Sequence, residues 1–222
     1  MKKYLSILIL IGLILCTGAG RKAEPIEAKS GELNIEQFED YEKRYIGEEV
    51  QVCSTSSTKS YMDYRAITSR SSAQYKYIRE YMLVDETTGF LYDEDGFVGV
   101  ALGSVYGVIG DRYYITLDSG VVLPVVKIDE KADGDTVNGC AHMSDSSVIE
   151  FVIDTDYAKE YFSVYSNGLI ASGNYNNYDL FHGKIAMIEE VTEELNENYV
   201  EFVEKEEVAF DNYDIFRYAS GY

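Results

Sequence analysis

Four short runs of β-branched and aromatic residues between residues 97 and 153 constrain this chain more than any other feature. They read FVGVAL at Phe97–Leu102, YYITL at Tyr113–Leu117, VVLPVVKI at Val121–Ile128 and VIEFVI at Val148–Ile153. Each is too short for an ordinary helix and is bounded by Gly and Asp turns, which is the pattern of strands. Asp118-Ser119-Gly120 joins the second run to the third as a three-residue hairpin connection, with Gly120 free to adopt positive φ. Pro124 interrupts the third run and has no N–H for a ladder, so it demands an edge position or a bulge. The 21 Tyr and 9 Phe, with no Trp, suit half-buried pleated surfaces and push the same way. The expected class is mainly β (α+β), with the four runs closing into a compact barrel or sandwich.

Helices are expected only at the periphery. Ser71 or Ser72 can cap a helix over residues 71–83, with Tyr75, Ile78, Tyr81 and Met82 as its apolar stripe. Ile35, Phe38, Tyr41 and Tyr45 recur at near-helical spacing within a charged stretch, which reads as a short helix or a tether. Cys53 to Ser60 is rich in Ser and Thr and reads as loop or extended edge. After Asp154 the sequence YFSVYSNGLIASGNYNNYDLFHG carries Asn-Gly and Ser-Gly steps that suggest hairpins or a long surface excursion. Lys184 to Ile188 reads as a further strand, Glu189 to Val208 as strand or solvated helix, and Phe210 to Tyr222 as an aromatic tail packing back on the core.

The N-terminus speaks for export. Lys2 and Lys3 precede an apolar run from Tyr4 to Cys16, followed by the small residues Thr17, Gly18, Ala19 and Gly20. That order is a secretory signal cleaved near Ala19. Arg21 and Lys22 could instead retain it as an anchor, and Cys16 offers lipidation, although Leu15 stands where a small residue is wanted. The chain divides into a leader or anchor (1–22), an acidic tether (23–60) and a β domain with an acidic extension (61–222). Removing the leader leaves Cys53 and Cys140, an even pair that can form one disulfide in an oxidising compartment. A formal charge of −20 repels phosphate backbones and anionic head groups. Nucleic acid is thereby excluded as a partner, membrane contact is confined to the N-terminal segment, and cationic partners or divalent metals are favoured.

The order Ile109-Gly110-Asp111, Tyr114 to Gly120, Val125 to Asp129, Ala132-Asp133-Gly134 and Val148 to Phe151 resembles the double-psi β-barrel domains of bacterial cell-envelope proteins. Those are the 3D domains, the rare-lipoprotein-A-like proteins and the membrane-bound lytic transglycosylases. The resemblance covers about a quarter of the chain, Gly103 to Asp154. It implies a small six-stranded double-psi-like barrel with one or two peripheral N-terminal helices, located at the cell envelope and acting on or binding peptidoglycan glycan. Asp133 and Glu150 occupy the family's acidic positions, with Glu150 in place of an aspartate.

Lytic transglycosylation needs one group that protonates the leaving oxygen and then takes a proton from the sugar's own hydroxyl. A carboxyl with a raised pKa can do both. Asp133 is the candidate acid/base, with Asp129 and Glu150 as supporting carboxylates, if strand ends gather them; otherwise they are acids solvated in a loop. Asp129, Asp133, Asp135 and Asn138 also present oxygens at roughly alternate positions, as a hard cation such as Ca²⁺ requires, though without EF-hand spacing. His142, two residues after Cys140, reads as a turn residue before it reads as a partner of Asp133 or the base of a cysteine hydrolase. The contrasting function is a non-catalytic surface or interaction module that presents the excursion from Tyr165 to Tyr178. Open aromatic surface there would favour binding, and a cleft lined by Asp129, Asp133 and Glu150 would favour catalysis.

Overall fold

A computed structural model describes residues 22–53, 56–162 and 168–196 of the 222. In chain order the strands are β1 (Ala28–Lys29), β2 (Tyr45–Val50), β3 (Ser60–Asp63), β4 (Leu83–Asp85), β5 (Leu91–Tyr92), β6 (Val98–Leu102), β7 (Arg112–Leu117) and β8 (Val122–Glu130). They continue as β9 (Thr136–Val137), β10 (Ala141–His142), β11 (Glu150–Ile153) and β12 (Ile185–Leu195), with helices α1 (Ala73–Tyr81), α2 (Thr155–Phe162) and α3 (Leu169–Ser172).

All strands except the small β9–β10 hairpin join one mixed ten-stranded sheet in the order β1-β4-β5-β6-β8-β7-β12-β2, with β11 joining β6 to β3. The protein is therefore mainly β with a few helices, as its sequence implies, but the sheet is open and the strand count exceeds the six expected. The extra strands come from outside the four runs. β2 and β12 pair over Val50↔Ile188 to Tyr45↔Leu195, and β3 runs parallel to β11. The stretch read as a tether supplies β1 and β2, and it buries Ile35 and Phe38 in the core. Only a 3-10 turn, Ile35–Phe38, forms where a helix to Tyr45 was expected, because Tyr45 already begins β2.

The four runs are strands, and the sheet explains why they lack clean alternation. β6 is buried at all five positions, flanked by parallel β8 on one side and by antiparallel β5 and β11 on the other. A strand covered on both faces reads as a continuous apolar run. Val98, Val100 and Leu102 pack with Phe151 and Ile153 in one core layer. Ala101, Val126, Ile128 and Val152 pack under Ile78 of α1 in the other. The hairpin forms at Asp118-Ser119-Gly120, where Gly120 has φ +95° and donates its N–H to Leu117. Pro124 lies one residue before β8 comes into register with β6 at Val125, so its missing N–H falls outside that ladder.

Helix α1 starts as expected, with Ser72 Oγ accepting from the Tyr75 N–H at 3.2 Å. Its buried face is Ile78 and Met82, while Tyr81 is 53% exposed. The excursion after Asp154 is not a set of hairpins. It folds into α2, α3 and two 3-10 turns, and its rings turn inward: Phe162, Tyr175 and Phe181 pack on Phe90 and Phe151 with centroid separations of 4.9–5.7 Å. Residues 189–195 resolve as strand β12. Among the described residues no helix is long and apolar enough to cross a membrane. The leader, Tyr165 and the stretch from residue 197 through the aromatic tail lie outside the described residues.

Candidate functional site

A β-bulge arranges the acids. In β8, Val100 faces Lys127 but the next residue, Ala101, faces Asp129, so Ile128 is the extra residue. Ala101 is also in register with Glu150 on β11. Asp129 and Glu150 thus flank Ala101 from opposite sides on the α1 face of the sheet. Burial pushes the Asp129 carboxyl up; the Glu130 N–H, at 2.9 Å, and the Gln74 side chain oppose that, while the Glu150 charge reinforces it.

Asp133 is placed elsewhere. It starts a 3-10 turn in the connection from β8 to β11, is exposed, and accepts a hydrogen bond from Ser104 Oγ. Asp129 and Glu150 share the α1 face with β6 between them, Asp133 lies apart from both, and of the three the carboxyl raised by its surroundings is Asp129. Among the described residues no group of three or more His, Cys, Asp or Glu side chains is placed to hold a metal ion. His142 is the last residue of β10 rather than a turn residue, and its Nδ1 lies 2.9 Å from Ser144 Oγ and 3.5 Å from Asp145 Oδ1.

A cleft opens along this connection. About 750 Å³ in volume, it is lined by Val50, Gln51 and Cys53 at and after the end of β2, by Val105, Tyr106 and Gly107, by Val137, Asn138, Cys140, Ala141 and Ser146, and by Tyr113 and Glu190. Val105 and Val137 are each 55% exposed at its mouth. Cys53 and Cys140 meet in its wall with Cα atoms 6.1 Å apart, inside the span a disulfide requires. Tyr106 Oη lies 3.0 Å from Cys53 Sγ and 3.7 Å from Cys140 Sγ. Burial raises the Tyr106 pKa, which keeps that hydroxyl protonated as a donor.

Sequence reasoning missed what fixes the cleft. Lys127, with 0% of its side chain exposed, donates to the Gly103 carbonyl at 3.1 Å, the Gly107 carbonyl at 2.9 Å and Glu130 Oε2 at 2.9 Å. It pins the loop that carries Val105 and Tyr106. Lys131 donates to the Ser147 carbonyl at 3.0 Å and to Ser147 Oγ at 3.3 Å, and burial lowers its pKa. Gly103 has to be glycine, because a Cβ there would stand 2.1 Å from the Gly139 carbonyl oxygen. The available signal was Lys127 itself, a cation inside the apolar run VVLPVVKI, which a strand buried on both faces tolerates only with acceptors supplied.

Compared with known proteins, the chain matches no family model, no curated protein and no solved structure.

Proposed function

We propose that the protein is an exported, non-catalytic binding domain of the cell envelope, and that the cleft beside Cys53 and Cys140 is its ligand site. One observation carries the reading: the cleft is walled by apolar side chains and two cysteines, while Asp129 and Glu150 lie on the α1 face, outside its lining. Among the described residues the lining includes Glu190 and no Lys, Arg or His, so the site disfavours an anionic ligand. Val50, Val105, Val137 and Ala141 offer apolar contact, and Gln51, Asn138 and Glu190 offer hydrogen bonds. That combination fits the acetamido groups of peptidoglycan glycan. The signal-like leader and the paired cysteines support export. Kinship to double-psi β-barrel envelope domains belongs to the same proposal; the parallel β6/β8 and β3/β11 pairings inside an otherwise largely antiparallel sheet support it.

The test is co-sedimentation of the leaderless protein with purified cell walls. Val105→Asp and Val137→Asp each put a charge at the exposed mouth and are expected to weaken retention at least about tenfold. Undiminished retention of both variants would end the cleft assignment.

A second reading has one observation in its favour, the raised carboxyl of Asp129 beside Glu150. If that pair cleaves glycan, soluble anhydro-sugar products appear and vanish in Asp129→Asn, whereas Asp133→Asn leaves them unchanged. On the binding reading none of the three proteins releases such products.

A further inference from the structure

We propose that Cys53 and Cys140 form a reversible bridge that exchanges with an external dithiol and so fixes or frees the loop walling the cleft. This goes beyond ligand binding and depends only on where the two sulfurs sit. A structural bridge is usually sealed in the core, but both cysteines line an open cleft and are only half-buried. They join two segments that share no strand pairing: residue 53 follows β2, and residue 140 lies in the β9–β10 hairpin.

The surroundings give the exchange a direction. Tyr106 Oη is closer to Cys53 Sγ than to Cys140 Sγ, at 3.0 Å against 3.7 Å, so its O–H best stabilises negative charge developing on Cys53. An incoming thiolate therefore attacks Cys140 Sγ, the S–S bond breaks, and Cys53 leaves as a thiolate that takes a proton from water. The reagent's second thiol then attacks its own mixed-disulfide sulfur and releases Cys140. Two electrons and two protons pass from the dithiol to the bridge, and the dithiol becomes a disulfide.

Freeing Cys140 removes one of the ties on residues 133–147. Those that remain include the Lys131–Ser147 contacts, Ser104 Oγ to Asp133, the Val105 N–H to the Gly139 carbonyl at 3.1 Å, the Ser56 N–H to the Ser146 carbonyl at 3.0 Å and Ser56 Oγ to the Asp145 carbonyl at 2.7 Å. The fold survives reduction while the cleft wall loosens.

The experiment uses the leaderless, air-oxidised protein with dithiothreitol as the dithiol, quenched by alkylation and read by mass spectrometry. Cys53 and Cys140 are expected to resist alkylation before reduction, then to open at least about tenfold faster than the protein unfolds globally. Amide exchange of residues 133–147 is expected to speed up after reduction with the rest of the sheet unchanged. Tyr106→Phe should slow opening about tenfold, the worth of one hydrogen bond to a charged group. An unfolding curve for that variant separates the effect from lost stability. Free thiols before reduction, opening no faster than unfolding, or a Tyr106→Phe rate equal to the parent's would each overturn the proposal. None of these readouts uses cell walls, so failure here and failure of the binding reading are separable.

Discussion

Residues 155–183 and residues 131–149 are both long connections leaving the same sheet, yet they are held by different physics. The first is fastened by rings. Phe162, Tyr175 and Phe181 close on Phe90 and Phe151, all buried, in contacts that are non-directional and area-driven. The second has few rings. It is fastened by the Lys131 ammonium, by backbone contacts at Gly139 and Ser146, and by the meeting of Cys53 and Cys140. Apolar packing makes a connection part of the core, while point ties leave its outer surface free to form a cleft, and the cleft is found along the second connection.

The sharpest way to break this contrast is to remove a ring. Phe151→Ala should cost about 4 kcal/mol in urea unfolding, because a buried aromatic touching Phe90, Tyr175 and Phe181 leaves a cavity that helices and strands cannot both collapse into. A cost below ~1 kcal/mol would mean that the aromatic layer is not the fastening of residues 155–183.

Next in size is Lys127→Met. It keeps the stem volume but strands the Gly103 and Gly107 carbonyls, for an expected loss of about 3 kcal/mol. Unlike the Phe151 change, it should also raise amide exchange selectively across residues 103–107. A neutral effect would show that the loop carrying Tyr106 is held by something other than the ammonium.

These two predictions mark where sequence legibility ended. The strands at Phe97–Leu102, Tyr113–Leu117, Val121–Ile128 and Val148–Ile153, the hairpin at Gly120 and the Ser72 cap depend on neighbours within a few residues, and all were readable. The inward turn of Tyr175 was not, because its partners Phe90 and Phe151 are distant in sequence, and a Tyr among Asn residues has the local chemistry of a surface. The site divides the same way. Asp129 and Glu150 flank Ala101 on one face of the sheet as strand ends can, but Asp133 is held apart by the Ser104 hydroxyl, a partner 29 residues away that local sequence does not reveal. The bulge at Ile128, which decides which face Asp129 takes, leaves no periodic signature of its own.

A third, smaller effect sharpens the comparison through pH. Lys59 is 2% exposed, donates to the Ser57 and Gly183 carbonyls, and is pushed down to about 8 by burial, against the nearby Asp118 charge. Its folded pKa lies below its unfolded value near 10.5, so the unfolded chain binds more proton between those values and stability rises with pH across that window. Buried tyrosines such as Tyr175, whose pKa burial raises, act in the opposite sense above about pH 10. Unfolding measured from pH 8 to pH 10 should therefore show the parent gaining stability and Lys59→Met gaining less, the remainder coming from Lys131, whose pKa burial also lowers. Parallel curves would mean that the Lys59 amine is charged at no cost in the folded state.

The smallest expected effect falls on the acid pair and bears on function. Burial holds the Asp129 carboxyl above its ordinary value of 3.8, so ionising it above that value costs the folded state stability. Asp129→Asn removes the titration and keeps the shape. It should be neutral or stabilising at pH 7, within ~0.5 kcal/mol, and the difference from the parent should shrink as the pH is lowered towards 3.8. A carboxyl whose neutral replacement stabilises the fold contributes nothing structural by its charge. Such a gain would direct attention to chemistry at Asp129 and Glu150, and a loss would make Asp129 a structural acceptor for Gln74 and leave the cleft as the protein's working surface.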